Sequence, residues 1–133
     1  MKKDLSTDEA LQIIKHLEIP IDLTNHEFWL LRLCLKNQIE HLERESGWKS
    51  AVPYEKLLQR IDARLKDFNL LLVVDANEHG HLHIAIITYI RYLHGMSCPD
   101  LKALLKKLDE LLDRALELAI ATNYGEQQDI GEI

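Results

Sequence analysis

The feature that most constrains the fold is a long apolar repeat near the C-terminus. From residue 101 to residue 119, apolar side chains recur at intervals of three and four residues, and most positions between them are charged. This spacing places the apolar residues on one face of an α-helix. The repeat consists of Leu101, Leu104, Leu105, Leu108, Leu111, Leu112, Ala115, Leu118 and Ala119. The sequence therefore predicts a long amphipathic last helix, which begins near Pro99 and ends at Gly125.

Two earlier helix starts are marked by a hydroxyl residue followed three positions later by Glu. This capping-box spacing satisfies two backbone donors at the start of a helix. Ser6 begins the first box and predicts a helix over 7–18, which ends before Pro20 because the residue before a proline avoids the α region. Thr24 begins the second box and predicts a helix over 25–45. The first half of this second helix is apolar on nearly every side, which is typical of a helix buried in the core.

A third helix is predicted by an apolar stripe that begins at Tyr54. Pro53 fits the first turn of this helix, where its missing N–H has no partner to lose. The residues before it, 47–50, contain Gly47 and are expected to form a loop that carries Trp48.

Residues 68–94 fit two interpretations. In the first, the third helix continues to about Asn77, Gly80 caps it, and a fourth helix covers 82–94. In the second, residues 70–75 and 81–88 are antiparallel strands, because valine and isoleucine are concentrated here and apolar residues alternate with polar ones. The continuous apolar stripe of the third helix favours the first interpretation.

The length of 133 residues predicts one domain, which we place at 1–125 and which is followed by an acidic C-terminal tail at 126–133. Only five glycines and three prolines are present, and this scarcity favours long regular elements. We therefore expect an all-α, single-domain bundle of four to five helices. The alternative is an α+β fold with a hairpin at about 70–88.

The charge balance excludes some classes of partner. Twenty-two acidic residues against sixteen basic ones give a net charge of −6, and no basic stripe is present, so we expect no nucleic-acid binding. The longest apolar run, 70–74, is far shorter than a membrane span, and residues 1–3 do not open a secretory peptide. We expect a soluble, cytoplasmic protein with no membrane partner. Its two cysteines match no zinc or redox spacing, and we expect no cofactor.

Three histidines lie within five residues, at His79, His81 and His83. If this segment is a strand, His81 and His83 share a face and could chelate a metal ion, with His79 or Asp75 as a third ligand. The alternative is that 77–83 forms a polar loop and that its histidines are merely solvated. Both interpretations remain open from the sequence.

Acidic residues on two of the predicted helices suggest a different metal site. Glu40, His41, Glu43 and Glu45 lie on one helix, and Asp109, Glu110, Asp113 and Glu117 lie on the last one. The first group resembles the carboxylate-rich helices of nucleotide pyrophosphohydrolases of the MazG type. That resemblance implies a magnesium-dependent hydrolase, in which the second group would complete the site. The alternative is that both groups form solvated helix faces.

Arg91 and His94 form a further pair near the end of the fourth predicted helix. An arginine and a histidine on one helix resemble the RNA-cleaving site of the HEPN ribonucleases, which are also small helical bundles. In this chain only two residues separate them, whereas the spacer of that family is longer. The resemblance implies a histidine-dependent ribonuclease; the alternative is a helix end whose free carbonyls attract cations.

The function that the sequence favours is a small acidic protein-binding module (adaptor, chaperone or immunity/antitoxin type) without catalytic activity. No catalytic motif is recognisable, and the leucine stripe of the last helix is wider than one neighbouring helix requires. The expected partner is another protein, for which the charge favours a basic one, or a second copy in a homodimer. The expected contact residues are Trp48, Leu101, Leu105, Leu108 and Leu112. The metal-dependent hydrolase and the ribonuclease are the alternatives.

Overall fold

The structure is a computed structural model that describes residues 6–131 of the chain and the side chains of residues 6–122. Five helices and one two-stranded sheet make up this described part. The elements are α1 (Thr7–Lys15), β1 (Ile19–Pro20), α2 (Asn25–Glu45), α3 (Trp48–Lys66), β2 (Val73–Val74), α4 (Ala76–Tyr92) and α5 (Pro99–Gly131). The predicted all-α bundle is confirmed. Within residues 6–131, none of the helices combines the length and the apolar character that crossing a membrane requires.

The helices α2 and α3 form an antiparallel hairpin that is the centre of the bundle. Arg32 of α2 donates a hydrogen bond from Nε to Asp62 Oδ1 of α3 at 2.6 Å. Near the open end of the hairpin, the guanidinium of Arg64 lies 5.1 Å from the centre of the Phe28 ring. The two helices meet at Gly47, whose φ of +89° is favourable for glycine and strained for other residues.

The core lies between this hairpin, α4 and the first half of α5. The largest fully buried side chains are Phe28, Ile19, Leu31, Leu35, Leu57, Ile61, Leu82, Ile86, Leu104, Leu108, Val74 and Cys34. They come from every helix except α1 and from both strands. One continuous apolar cluster therefore holds α2, α3, α4 and the start of α5 together.

The extended segment 17–23 forms one wall of this core. Its odd-numbered residues are buried and its even-numbered residues are exposed, which is the period of a β-strand. Ile19 pairs with Val74 in an antiparallel register, and the N–H of Ile21 donates to the carbonyl of Leu72 at 2.8 Å. The first helix was predicted over 7–18 but ends at Lys15, because Leu17 is buried as part of this extended segment.

The middle of the chain differs from both sequence interpretations. The helix α4 begins at Ala76 rather than at residue 82, and Gly80 lies inside it. Its start is fixed by a capping box, in which Asp75 Oδ1 accepts from the N–H of Glu78 at 2.7 Å and Glu78 Oε1 accepts from the N–H of Asp75 at 3.0 Å. The alternative hairpin at 70–88 was wrong, because β2 pairs with β1 and residues 76–92 are helical.

Three further helix boundaries differ from the predictions. The helix α3 begins at Trp48, so residues 48–50 are helical and Pro53 lies one turn inside; the earlier start lets Ala51 pack in the core. The helix α3 ends at Lys66, before the predicted Asn77.

The helix α5 passes through Gly125, where the sequence predicted its end, and a single glycine inside a helix costs only about 1 kcal/mol. The side chains of the predicted acidic tail, 126–133, lie outside the described residues, and that tail stays a prediction.

Candidate functional site

The three clustered histidines lie on α4, and each contacts a different partner. His79 is buried, and its Nε2 donates to the carbonyl of Leu108 on α5 at 2.8 Å. The ring of His81 packs edge-on against the ring of Tyr54, with 5.0 Å between the ring centres. His83 Nδ1 lies 3.3 Å from Asp109 Oδ1. Successive helix residues are rotated by about 100°, so alternate residues do not share a face as they do on a strand.

The structure therefore does not bring the three rings together at one point. Across the described residues, no group of three or more histidine, cysteine, aspartate or glutamate side chains is placed to hold a metal ion. His79 and His83, one helical turn apart, instead join α4 to α5. The Nε2 of His79 must carry a hydrogen, because a carbonyl can only accept.

The acidic and basic groups that resemble enzyme sites lie on exposed helix surfaces. All eight residues of the two acid-bearing helix segments are exposed, Glu40, His41, Glu43 and Glu45 on α2 and Asp109, Glu110, Asp113 and Glu117 on α5. Arg91, the last residue but one of α4, is exposed. His94 is also exposed and lies beyond α4, with a φ of 45° in the left-handed region. These arrangements are typical of solvated faces and helix ends.

The predicted partner-contact residues divide into three groups. Leu101 and Leu108 are buried in the core of the chain, so no partner reaches them while the chain is folded. This part of the prediction is corrected, because the first turns of α5 pack inside the bundle. Leu105 and Leu112 are half-buried at the margin of the core. Trp48 is exposed at the first residue of α3, with Lys49 Nζ 5.9 Å from the centre of its ring.

The last helix carries one apolar face whose burial decreases along its length. Seven residues recur at intervals of three and four, and we call them the α5 seam: Leu101, Leu104, Leu108, Leu111, Ala115, Leu118 and Thr122. The first three are buried, the next two are half-buried, and the last two are exposed. Leu118 is 70% exposed. The side chains thus share one helix face, but the rest of the chain covers only the first part of that face.

The geometry of α4 explains why this cover ends. The short connection from Tyr92 to Pro99, together with the contact between His79 and Leu108, makes α4 and α5 antiparallel. The first residue of α4, Ala76, is only three residues before His79. Because α4 begins less than one turn before His79, α5 extends past the start of α4 about one turn after Leu108.

The helix α1 packs on α5 but does not complete the cover. Within Thr7–Lys15, no side chain is buried, although the helix is amphipathic. Ala10 and Ile13 are half-buried, whereas Leu11 and Ile14 remain exposed. Both α1 and the later part of α5 therefore present large apolar side chains to solvent.

Charged residues lie near the exposed part of the α5 seam. Arg114 lies one helical turn before Leu118, beside the seam, and Glu117 lies one turn after Arg114 on the side away from the seam; both are exposed. Neither takes part in an ion pair within the described residues. Earlier on the same helix, Lys107 Nζ lies 2.7 Å from Glu27 Oε1, where α5 still packs against the bundle.

The sequence predicted the seam residues up to Leu118, but not Thr122 and not which part of the seam is uncovered. The apolar spacing of Leu111, Ala115 and Leu118 is visible in the sequence, and it predicted a helix face. The point at which the neighbouring helix stops depends on the start of α4. That start was signalled by Asp75 and Glu78, a capping box that the adjacent histidines and valines obscured.

No protein-family model, curated protein or solved structure matches this chain.

Proposed function

We propose that this chain is a small acidic protein-binding module without catalytic activity, and that it binds an apolar helix through the uncovered part of the α5 seam. The observation that carries the proposal is the decrease in burial along one continuous apolar face, from Leu108 in the core to Leu118 in solvent. Apolar patches that persist on a folded surface are typical of interaction sites.

The spacing of the seam defines the chemistry of the partner. Residues at alternating intervals of three and four form the holes that accept side chains from a second helix with the same repeat. A partner helix with apolar residues at this spacing would extend the core of the bundle beyond Leu108. The charged neighbour Arg114 would contribute to the polar rim of that contact.

The contacts of three side chains that often act in catalysis, His79, His81 and Cys34, support a function without catalysis. His79 is committed to a backbone carbonyl, and His81 packs against Tyr54. Cys34 lies inside the core, and burial raises the pKa of its thiol to about 12, so this cysteine is protonated at neutral pH. A protonated, buried thiol is a poor nucleophile.

Two equally exposed leucines provide a matched test. Leu118 on the seam is 70% exposed, and Leu71, in the segment before β2, is 68% exposed. A photo-reactive aromatic amino acid placed at position 118 in the native cell should form a cross-link to a defined protein, whereas the same group at position 71 should not. Mass spectrometry of the product identifies the protein.

Binding is then measured with the purified partner. We expect Leu118→Glu to weaken binding at least tenfold, about 1.4 kcal/mol, and Leu71→Glu to leave it unchanged. Equal cross-linking from both positions, no product from position 118, or equal affinities of the two variants would each overturn the proposed function.

A further inference from the structure

We propose that α1 is a detachable cover of α5, which leaves α5 and unfolds as a unit while the rest of the chain stays folded. This opening exposes apolar side chains of α1 together with the part of α5 on which α1 packs. The inference goes beyond the proposed function, because the opening is a property of the chain alone and requires no partner.

The contact that holds α1 on α5 is small. Within Thr7–Lys15 no side chain is buried, and only Ala10 and Ile13 are half-buried. By contrast, α2, α3 and α4 each bury at least four side chains in the core. The free energy gained by packing scales with the apolar surface removed from water, so α1 is held far more weakly than the other three helices.

Polar contacts do not strengthen this attachment. Ser6 Oγ accepts from the N–H of Glu9 at 3.2 Å, which caps the start of α1 but does not reach another element. Within the described residues, the five ion pairs all join other parts of the chain. The charged side chains of α1 are exposed. The attachment of α1 to the bundle therefore depends on Ala10 and Ile13.

Burial changes abruptly at the residue that follows α1. His16 is exposed, whereas Leu17 and Ile19 are buried in the core. Ile19 also pairs with Val74, so the extended segment stays attached to the bundle by its own contacts. A hinge at His16 thus releases α1 without moving a buried side chain. Segments with few buried apolar contacts are those that open locally while the core remains folded.

The length of α1 makes its detachment measurable. The helix has nine residues, and isolated helices shorter than about 12 residues are only marginally stable in water. Once α1 leaves α5, it therefore unfolds, and its backbone amides exchange with solvent. Hydrogen–deuterium exchange of the α1 amides consequently reports the opening.

The first experiment compares amide exchange in the wild type and in Ile86→Val. Relative to an unfolded peptide, the α1 amides should be protected, but on the order of 100-fold less than the amides of residues 31–39 in α2. Ile86 is fully buried on α4, so loss of one of its methylene groups destabilises the core. In Ile86→Val, the amides of 31–39 should exchange at least about twofold faster, whereas the α1 amides should keep their wild-type rate.

Two results would overturn the detachable cover. If α1 opens only when the whole chain unfolds, its amides are as protected as those of 31–39, and Ile86→Val accelerates both groups by the same factor. If the α1 amides exchange as fast as those of an unfolded peptide, α1 is not attached to α5 at all.

The second experiment tests the contact through Ile13 with a matched pair of variants, Ile13→Ser and Ile14→Ser. The two positions carry the same residue in the same helix, but Ile13 is half-buried and Ile14 is 44% exposed. Isoleucine and serine have similar helix propensities, so the comparison reports the attachment rather than helix formation. Ile13→Ser should accelerate exchange of the α1 amides roughly fivefold or more, and Ile14→Ser by less than about twofold. Equal effects of the two variants, or no effect of Ile13→Ser, would overturn a cover held on α5 by Ile13.

Discussion

Two buried residues of different polarity, Cys34 and Gln38, lie one helical turn apart on the inner face of α2. The thiol of Cys34 behaves as a small apolar group, since its raised pKa keeps it neutral. The side chain of Gln38 is different: it is buried, and its Oε1 accepts no hydrogen bond from any described residue. A buried acceptor without a donor costs free energy relative to an apolar group of the same shape.

We therefore expect Gln38→Met to stabilise the fold. The substitution keeps the length of the side chain and removes the unpaired oxygen, so the free energy of unfolding should rise by about 1 kcal/mol. Chemical denaturation measures the change, with Gln12→Met on the exposed side of α1 as the control. A loss of more than about 1 kcal/mol would contradict this expectation and would indicate a bound internal water on Oε1.

Single residues also show where sequence reasoning reached its limit. The close spacing of His79, His81 and His83 is visible in the sequence, but their contacts are not. The partner of His79 is a backbone carbonyl 29 residues away, and that contact depends on the packing of α4 against α5. Residue types and spacing suggested a shared metal ion, whereas the helical rotation between neighbouring residues directs the rings to separate partners.

Among the elements, the start of α2 is tied to α5 by a long-range ion pair. Glu27 accepts from Lys107 Nζ at 2.7 Å and from the N–H of its capping partner Thr24. Burial alone would raise the pKa of Glu27, but the hydrogen bonds from Lys107 and Thr24 outweigh it, and the pKa lies below the ordinary value of 4.5. A carboxyl whose pKa is lowered by folding stabilises the fold above its unfolded pKa, and it loses this contribution as the pH falls through the folded pKa.

The expected result is a pH-dependent difference between the wild type and Glu27→Gln. At neutral pH the variant should be less stable by about 1 kcal/mol, because it lacks the charged partner of Lys107. The difference should shrink as the pH falls below about 4.5, where the wild-type carboxyl becomes protonated. Urea denaturation at several pH values measures it.

Lys107→Met removes the same ion pair from the other side and should give the same neutral-pH loss. The double variant should lose less than the sum of the two. A difference between Glu27→Gln and the wild type that stays constant from neutral to acidic pH would contradict the assigned role of the carboxylate.

At the level of elements, local signals predicted most of the helices and non-local contacts decided their ends. The signals for both ends of α2, the capping residue Thr24 and Gly47 after its last turn, lie next to the helix in the sequence. The helix α2 was therefore predicted with its observed bounds. By contrast, α1 ends three residues early because the buried segment 17–23 pairs with β2. A two-residue strand whose partner is more than fifty residues away leaves little trace in local periodicity.

For the whole molecule, the central property is that α5 extends past the start of α4, so that α4 covers only the first part of α5. The apolar repeat of α5 is as regular after Leu108 as before it, yet among the described residues the seam is exposed at Leu118 and Thr122. The sequence predicted the repeat and a wide leucine stripe. It could not show which leucines are core and which are surface, because that depends on where the neighbouring helices stop.

The most direct test of the uncovered seam follows hydrogen–deuterium exchange in the native chain with and without the protein that is cross-linked from position 118. If that protein binds the seam, amides of residues 111–122 should become more protected when it is added, because binding suppresses local opening of this part of α5. Amides of α2 between residues 31 and 39, inside the core, should exchange at rates that do not depend on the added protein. Exchange across 111–122 that is equally fast with and without it would contradict the account of α5 as a protein-binding surface.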